Sequence, residues 1–319
     1  MRRRCAPCFS SAWAFPSSKA GHHVQKIALI PELVGSPAPG IVIYGDDETP
    51  TPDQLESCGF FVPHYMGPEP NAHLMAQMPN LEVCQLLTAG FDYAIKYLPP
   101  GVTLCNAQGV HDASTSELAV GLMLASLRGI DVAARDMNSG NWDHLPHTSL
   151  ADRQVLIIGS GGVGRAIRDR LLPFEVTIQM IARNARDGVS TPERLPLLLA
   201  TSDVVVIAVP LDDSTRGMVQ AEFLSQMKDG ALLVNVARGA VADTDAILAE
   251  VGRLRFALDV TDPEPLPADH PLWSAPGVLI TPHLGGNTTA FVPRARRLVA
   301  RQVSRWQSGA EVDHAVSHG

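Results

Sequence analysis

The stretch VLIIGSGGVGRAI, residues 155–167, constrains this chain more than any other. Four apolar residues run into a glycine cluster and then into a segment with helical spacing, so a buried strand passes through a tight turn into a helix. Gly159, Gly161 and Gly164 form the spacing GxGxxG at that junction. In a strand-turn-helix setting the first glycine permits the turn, the second lets the backbone approach a pyrophosphate, and the third lets helix and strand pack closely. The free amides of the first helical turn then face the anion. The turn is read as the phosphate grip of a dinucleotide.

Beyond residue 150 the apolar runs VLIIG, VTIQMIA, VVVIAVP, ALLVNVA, ALDV and VLITP are nearly continuous. Runs without polar alternation belong to strands covered on both faces, and the helical segments between them imply the right-handed crossovers of a parallel, doubly wound sheet. Upstream, KIALI, GIVIYGD, GFFVPHY, LEVCQLLTAG and VTLCN outline a smaller α/β unit. Between the two, Ser114 stands three residues before Glu117, the spacing of a capping box, so a long helix is expected to begin at Ser114. The segment after residue 288, TTAFVPRARRLVARQVSRWQSG, is amphipathic in the helical sense and is expected to pack back on the first unit. The organisation expected is one domain from 24–113 and 288–319, with 114–287 inserted as the nucleotide domain; 319 residues suit two domains.

A formal net charge of -8 argues against nucleic-acid binding, which relies on basic residues neutralising phosphates. No run of about 18 uninterrupted apolar residues is present to cross a membrane. A small-molecule partner is left. Cysteines at 5, 8, 58, 84 and 105 are odd in number and not spaced as a disulfide framework, which suits a reducing cytoplasm. Cys5 and Cys8 form a CxxC with no second pair, and His144 and His147 lie in a proline-containing loop, so no metal centre is expected. Residues 1–23 are basic, serine-rich and free of acids; they are read as a disordered or non-native tail rather than a transit peptide.

NAD-binding versions of the glycine motif carry an acid about 20 residues on, at the end of the next strand, to hold the adenine ribose. Here that strand ends MIARNARD, with Ala182, Arg183 and Arg186 in the region where the acid is sought. Guanidinium forks suit a ribose 2′-phosphate, which favours NADP(H) over NAD(H); plain solvated loop charges are the alternative. In an open parallel sheet, ligands sit beyond the carboxyl ends of the strands. The later strands deliver Pro210, Arg238, Asp259 with Glu264 beyond it, and His283 to that edge. A cation, a carboxylate and an imidazole thus converge beside the expected nicotinamide.

The strings LLVNVARGAVADTDAIL, ALDVTDPEPLPADHPLW and VLITPHLGG, with the glycine motif and NAQGVHDASTSELAVGLMLASLR, resemble the D-isomer-specific 2-hydroxyacid dehydrogenases over residues 80–290. The resemblance implies an α/β chain in which a doubly wound, parallel-sheet Rossmann domain is inserted in a smaller flavodoxin-like substrate domain. It implies that Arg238 binds the substrate carboxylate and carbonyl, that His283 is the acid/base paired with Glu264, and that Ala89 and Gly90 offer amides to the carboxylate. Cofactor contacts are expected from Gly159, Gly161, Gly162, Val163 and Gly164 in the turn, from Arg183, Asn184 and Arg186 in the basic loop, and from Val209, Pro210, Thr215, Val236, Ala237, Arg238, Asp259, His283 and Gly285 at the later strand ends. The lack of an acid at 182 moves the chain toward members that resemble NADPH-using glyoxylate or hydroxypyruvate reductases. The family pattern NTPG reads NAQG here, a change expected to alter only a turn. A homodimer through the nucleotide domain is expected, with the helix from Ser114 as a candidate contact. The other reading is a dinucleotide-sensing, corepressor-like binding protein on the same fold, without turnover.

Overall fold

The computed structural model describes residues 26–45, 48–65 and 71–316, so the expected N-terminal tail and its CxxC lie outside the described residues. Two parallel sheets make up the chain. The first contains β1 (Ile27–Pro31), β2 (Ile41–Tyr44), β3 (Cys58–Phe61), β4 (Val83–Gln85) and β5 (Thr103–Cys105), in the order β2-β1-β3-β4-β5. The second contains β6 (Gln154–Ile158), β7 (Thr177–Ile181), β8 (Val204–Ile207), β9 (Leu232–Asn235), β10 (Arg255–Leu258) and β11 (Val278–Ile280), in the order β11-β10-β9-β8-β6-β7. Beyond β7 the next place in the sheet is filled only by a parallel bridge between Ile181 and Ser190.

Alternation within each strand sends neighbours to opposite faces. In the second sheet Val155, Ile157, Val204, Val206, Leu232 and Val234 pack on Ala119, Leu122, Met123 and Leu127 of the helix Asp112–Leu127 and on Ile167 and Leu171 of the helix Gly162–Leu171. Leu156, Ile158, Val205, Ile207 and Leu233 face the other way, onto Leu198, Leu199, Phe223 and Leu224. Both faces are dry, which is why these strands read as unbroken apolar runs.

The Asp112–Leu127 helix begins two residues before the expected capping box, and no side chain caps it. Ser114 is buried, and its hydroxyl is hydrogen-bonded to that of Thr288 at 2.8 Å; Glu117 is exposed. A long-range partner has taken the hydroxyl that local spacing assigned to the helix end.

The closing helix Phe291–Gln307 lays Phe291, Ala295, Leu298, Val299 and Val303 against Ala28, Ile30, Phe60 and Val83 of the first sheet. A fully buried amide pair fixes its position. Gln302 Nε2 donates to Gln85 Oε1 and to the Asp313 carbonyl, each at 2.7 Å, and Gln302 Oε1 accepts from the Asp313 amide at 2.9 Å. Gln302→Leu keeps the volume but leaves these groups without partners, and it is expected to lower the unfolding free energy by about 1–3 kcal/mol in urea titration. No measurable change would refute this account of the network.

Candidate active site

The glycine turn sits where the strand order reverses between β6 and β8, at their carboxyl ends. Gly159 has φ +110°, and a Cβ there would strike the Ala208 carbonyl. A Cβ at Gly164 would strike the Gly159 carbonyl, and one at Gly162 the Asp112 carboxylate. At Gly161, the residue preceding the first helical turn, a Cβ would meet no protein atom within 4 Å. Gly159 and Gly164 are required by the backbone itself, Gly162 meets only the Asp112 side chain, and the second glycine of the motif faces open space. This cradle fits a dinucleotide phosphate.

From the turn, a crevice of about 370 Å³ runs past Gly161, Gly162, Val163, Val209, Pro210, Val236, Ala237 and Arg238. It adjoins a second cavity of about 230 Å³ that holds His283, Gly285 and Asp259. Ala89, Gly90, Val163, Val236 and Arg238 line both. Gly159 and Gly164 shape the turn from behind. Thr215 is buried and works on its own loop, donating to the Pro210 carbonyl at 2.7 Å and accepting from the Asp212 amide at 2.9 Å.

The basic loop lies at the rim. Arg183 donates to Asp212 Oδ2 at 2.7 Å and to the Ser214 hydroxyl at 2.8 Å, while Arg186 donates to the carbonyl of Ser160 at 2.8 Å and to its hydroxyl. The Ser214 hydrogen bond, with Arg183 beside it, holds the Asp212 carboxyl at about 2 despite some opposing burial. Asn184 is exposed on the same loop and lines neither cavity.

His283 and its partners come from three consecutive strand ends. Its Nδ1 lies 2.5 Å from Glu264 Oε1. Because the ionised carboxylate can only accept, Nδ1 carries the hydrogen and Nε2 is the nitrogen left to exchange a proton. Burial raises the Glu264 pKa, but the His283 hydrogen bond and the charges of His283 and Arg238 outweigh it, so the net position is below the ordinary glutamate value. His283 has φ +52°, an uncommon backbone for a non-glycine residue. Asp259 secures it. The Asp259 carbonyl accepts the His283 amide at 2.8 Å, and its carboxylate accepts the Thr281 hydroxyl at 2.6 Å and the Leu284 and Gly285 amides at 2.8 and 2.9 Å. Asp259, expected only as a cofactor contact, lines the cavity yet spends its carboxylate on this turn.

Arg238 follows β9 and lies against Gly90, where a Cβ would collide with its guanidinium; Asp92 Oδ1 stands 3.6 Å from its Nε. The Ala89–Gly90 loop is braced by Asn106, whose side-chain amide donates to the Ala89 carbonyl at 2.9 Å. The guanidinium, the Ala89–Gly90 loop and the imidazole therefore line one cavity. Sequence reasoning did not assign Thr88, Tyr93, His111 and Thr115, which also line it. Thr88, His111 and Thr115 lay inside quoted strings, but nothing in a linear sequence marked their direction.

A profile described as "D-isomer specific 2-hydroxyacid dehydrogenase, NAD binding domain" matches residues 120–285. The chain is 34% identical over 250 residues to the glyoxylate reductase of Thermofilum pendens, covering 73% of this chain and 74% of that one. It is 33% identical over 229 residues to the human glyoxylate reductase/hydroxypyruvate reductase, covering 66% and 69%. Among solved structures, a D-isomer specific 2-hydroxyacid dehydrogenase from Xanthobacter autotrophicus Py2, in complex with NADPH and MES, superposes with a TM-score of 0.73 at 28% identity, covering 88% of this chain and 91% of that one.

The lowered Glu264 pKa carries a pH signature. A depressed carboxylate contributes stability that is present above its unfolded pKa of about 4.3 and is lost as pH falls through the folded value. Melting temperatures of the parent and Glu264→Gln, compared from pH 6 to pH 3, should differ at pH 6 and converge in acid. A gap that widens in acid would contradict the assignment.

Proposed function

Because the chain belongs to the D-isomer specific 2-hydroxyacid dehydrogenase family, we propose that it reduces a small 2-keto acid of the glyoxylate or hydroxypyruvate type to the D-2-hydroxy acid, with NADPH preferred over NADH. The observation that carries this reading is one cavity holding Arg238 against Gly90 and His283 backed by Glu264, continuous with the crevice of the glycine turn. A reduced nicotinamide, when bound, supplies the hydride for the carbonyl carbon. Arg238 and the amides of Ala89 and Gly90 orient the carboxylate, and Arg238 also polarises the carbonyl oxygen. His283 Nε2 gives that oxygen its proton, and Glu264 keeps the ring in the orientation and tautomer that allow this.

The NADPH preference is supported by the absence of an acid at Ala182 and by Arg183 and Arg186 at the rim of the crevice. A homodimer is supported by Ile130, Val132, Met137, Trp142 and Leu145, large apolar side chains exposed along one segment after the Asp112–Leu127 helix, Met137 at 80% and Trp142 at 92%. The apolar face of that helix itself is spent in its own core. No helix among the described residues is long and apolar enough to cross a membrane, and the free, buried thiols of Cys58, Cys84 and Cys105 suit a reducing cytoplasm.

NADPH oxidation by purified protein with a panel of 2-keto acids tests the reaction. His283→Gln and Arg238→Ala are expected to lower kcat/KM by about 10²–10⁴; near-normal turnover in either refutes its role. Tight cofactor binding without turnover of any 2-keto acid would point to the binding-protein reading. Loss of one charge-assisted pairing in Arg183→Ala should remove about 2 kcal/mol of preference for NADPH over NADH, measured as the ratio of kcat/KM values. A parent that prefers NADH refutes the argument from the basic loop.

A further inference from the structure

The reductase reading assigns two walls of the 230 Å³ cavity, the carboxylate subsite at Arg238 with Ala89 and Gly90, and the proton-exchanging face at His283. The substituent on the third carbon of a 2-keto acid must then point to the remaining wall. That wall is formed by Tyr65, His111 and Thr115 with the backbone of Gly285 and Gly286.

Tyr65 and Tyr93 both bring phenols to this cavity, and their hydrogen bonding separates them. Thr88 donates its only hydroxyl hydrogen to the Gly90 carbonyl at 2.7 Å, so Tyr93, 3.2 Å from the same Thr88 oxygen, must be the donor of that pair. Its proton is spent. The Tyr65 hydroxyl has no partner among the described residues, although burial raises its pKa and keeps it protonated. Its ring is held firmly, stacked on Phe291 at 3.8 Å between centroids and on His111 at 5.8 Å. His111 is 7% exposed and donates Nε2–H to the Leu87 carbonyl at 2.8 Å, which turns its Nδ1 toward the backbone of Gly286. The ideal Cβ position of Gly286 lies 3.0 Å from the Tyr65 oxygen and 2.8 Å from His111 Nδ1, so both atoms flank one glycine three residues after His283. Any side chain at 286 would displace them.

A half-buried phenol held rigidly, with no hydrogen-bond partner among the described residues, is a group set to meet a ligand. We propose that the Tyr65 hydroxyl recognises a hydroxyl on the third carbon of the substrate, so that the preferred substrate is a 3-hydroxy-2-keto acid. His111 acts beside it as a positioning residue, fixing the Tyr65 ring by stacking. This inference rests on the reductase reading. An aliphatic or aromatic substituent in the same place strands the phenol without a partner, which is how a site built for a hydroxyl discriminates against its absence.

The test uses the full chain with NADPH and three substrates: hydroxypyruvate, its 3-deoxy counterpart pyruvate, and glyoxylate, which has no third carbon. The parent should favour hydroxypyruvate over pyruvate by about tenfold or more in kcat/KM, and Tyr65→Phe, which keeps the stacked ring, should reduce that ratio by about tenfold. The hydroxypyruvate-to-glyoxylate ratio should fall with it. An equal loss on all three substrates would make Tyr65 purely structural and overturn the inference, as would a parent with no preference for hydroxypyruvate over pyruvate, a measurement that needs no variant to fold. Absence of reduction with every substrate would instead overturn the reductase reading on which it stands.

Discussion

Asp259 is 2% exposed, yet it carries a carboxylate that accepts from the Thr281 hydroxyl and from the Leu284 and Gly285 amides, while its carbonyl accepts from His283. Removing a carboxylate from water costs several kcal/mol unless donors surround it. Here the donors come almost entirely from one five-residue turn. Loosening that turn would leave the buried anion short of hydrogen bonds, so the left-handed backbone of His283 is held against its own strain. The direction of the imidazole toward Glu264 follows from the hydrogen bonds that Asp259 makes to this turn.

The two sheets meet by their carboxyl edges, and each supplies what the other lacks. From the second come the glycine turn, Arg238, Glu264 and His283; from the first come the Ala89–Gly90 loop, Tyr65 and Tyr93. The two chain segments that pass between the sheets are fastened to each other by the Ser114–Thr288 hydrogen bond and by the stacking of His111 on Phe291, 5.3 Å between centroids. This junction is adjacent to the cavity that His283 and Arg238 line, so the relative setting of the sheets and the shape of that cavity are governed by the same side chains.

Each of the apolar runs quoted from the sequence holds one strand, because strands buried on two faces leave an unbroken apolar record. The glycine turn was legible for a similar reason: the backbone itself demands glycine at 159 and 164, the first and third positions of the motif. Arg238, Glu264 and His283 followed from asking what each strand delivers at its carboxyl end. The misplaced helix start and the unassigned polar wall share a different cause. Ser114 and Thr288 are 174 positions apart, and the lack of a partner for the Tyr65 hydroxyl among the described residues is a property of its surroundings; neither leaves a local pattern. The dual duty of Asp259 is hidden in the same way, since its partners lie more than 20 residues downstream.

Beyond β7, a single bridge between Ile181 and Ser190 stands where a further strand would extend the sheet. The segment between them, carrying Arg183 and Arg186, packs on the core only through Val189 and is otherwise held by hydrogen bonds: Ser190–Met180, Ala182–Ser190 and the Arg186–Val189 pair in the backbone, and the side chains of Arg183 and Arg186 to Asp212, Ser214 and Ser160. A change of side-chain charge or of loop length at that corner of the crevice would leave every hydrogen-bonded strand of the sheet as it is, because the segment contributes a single bridge and no strand.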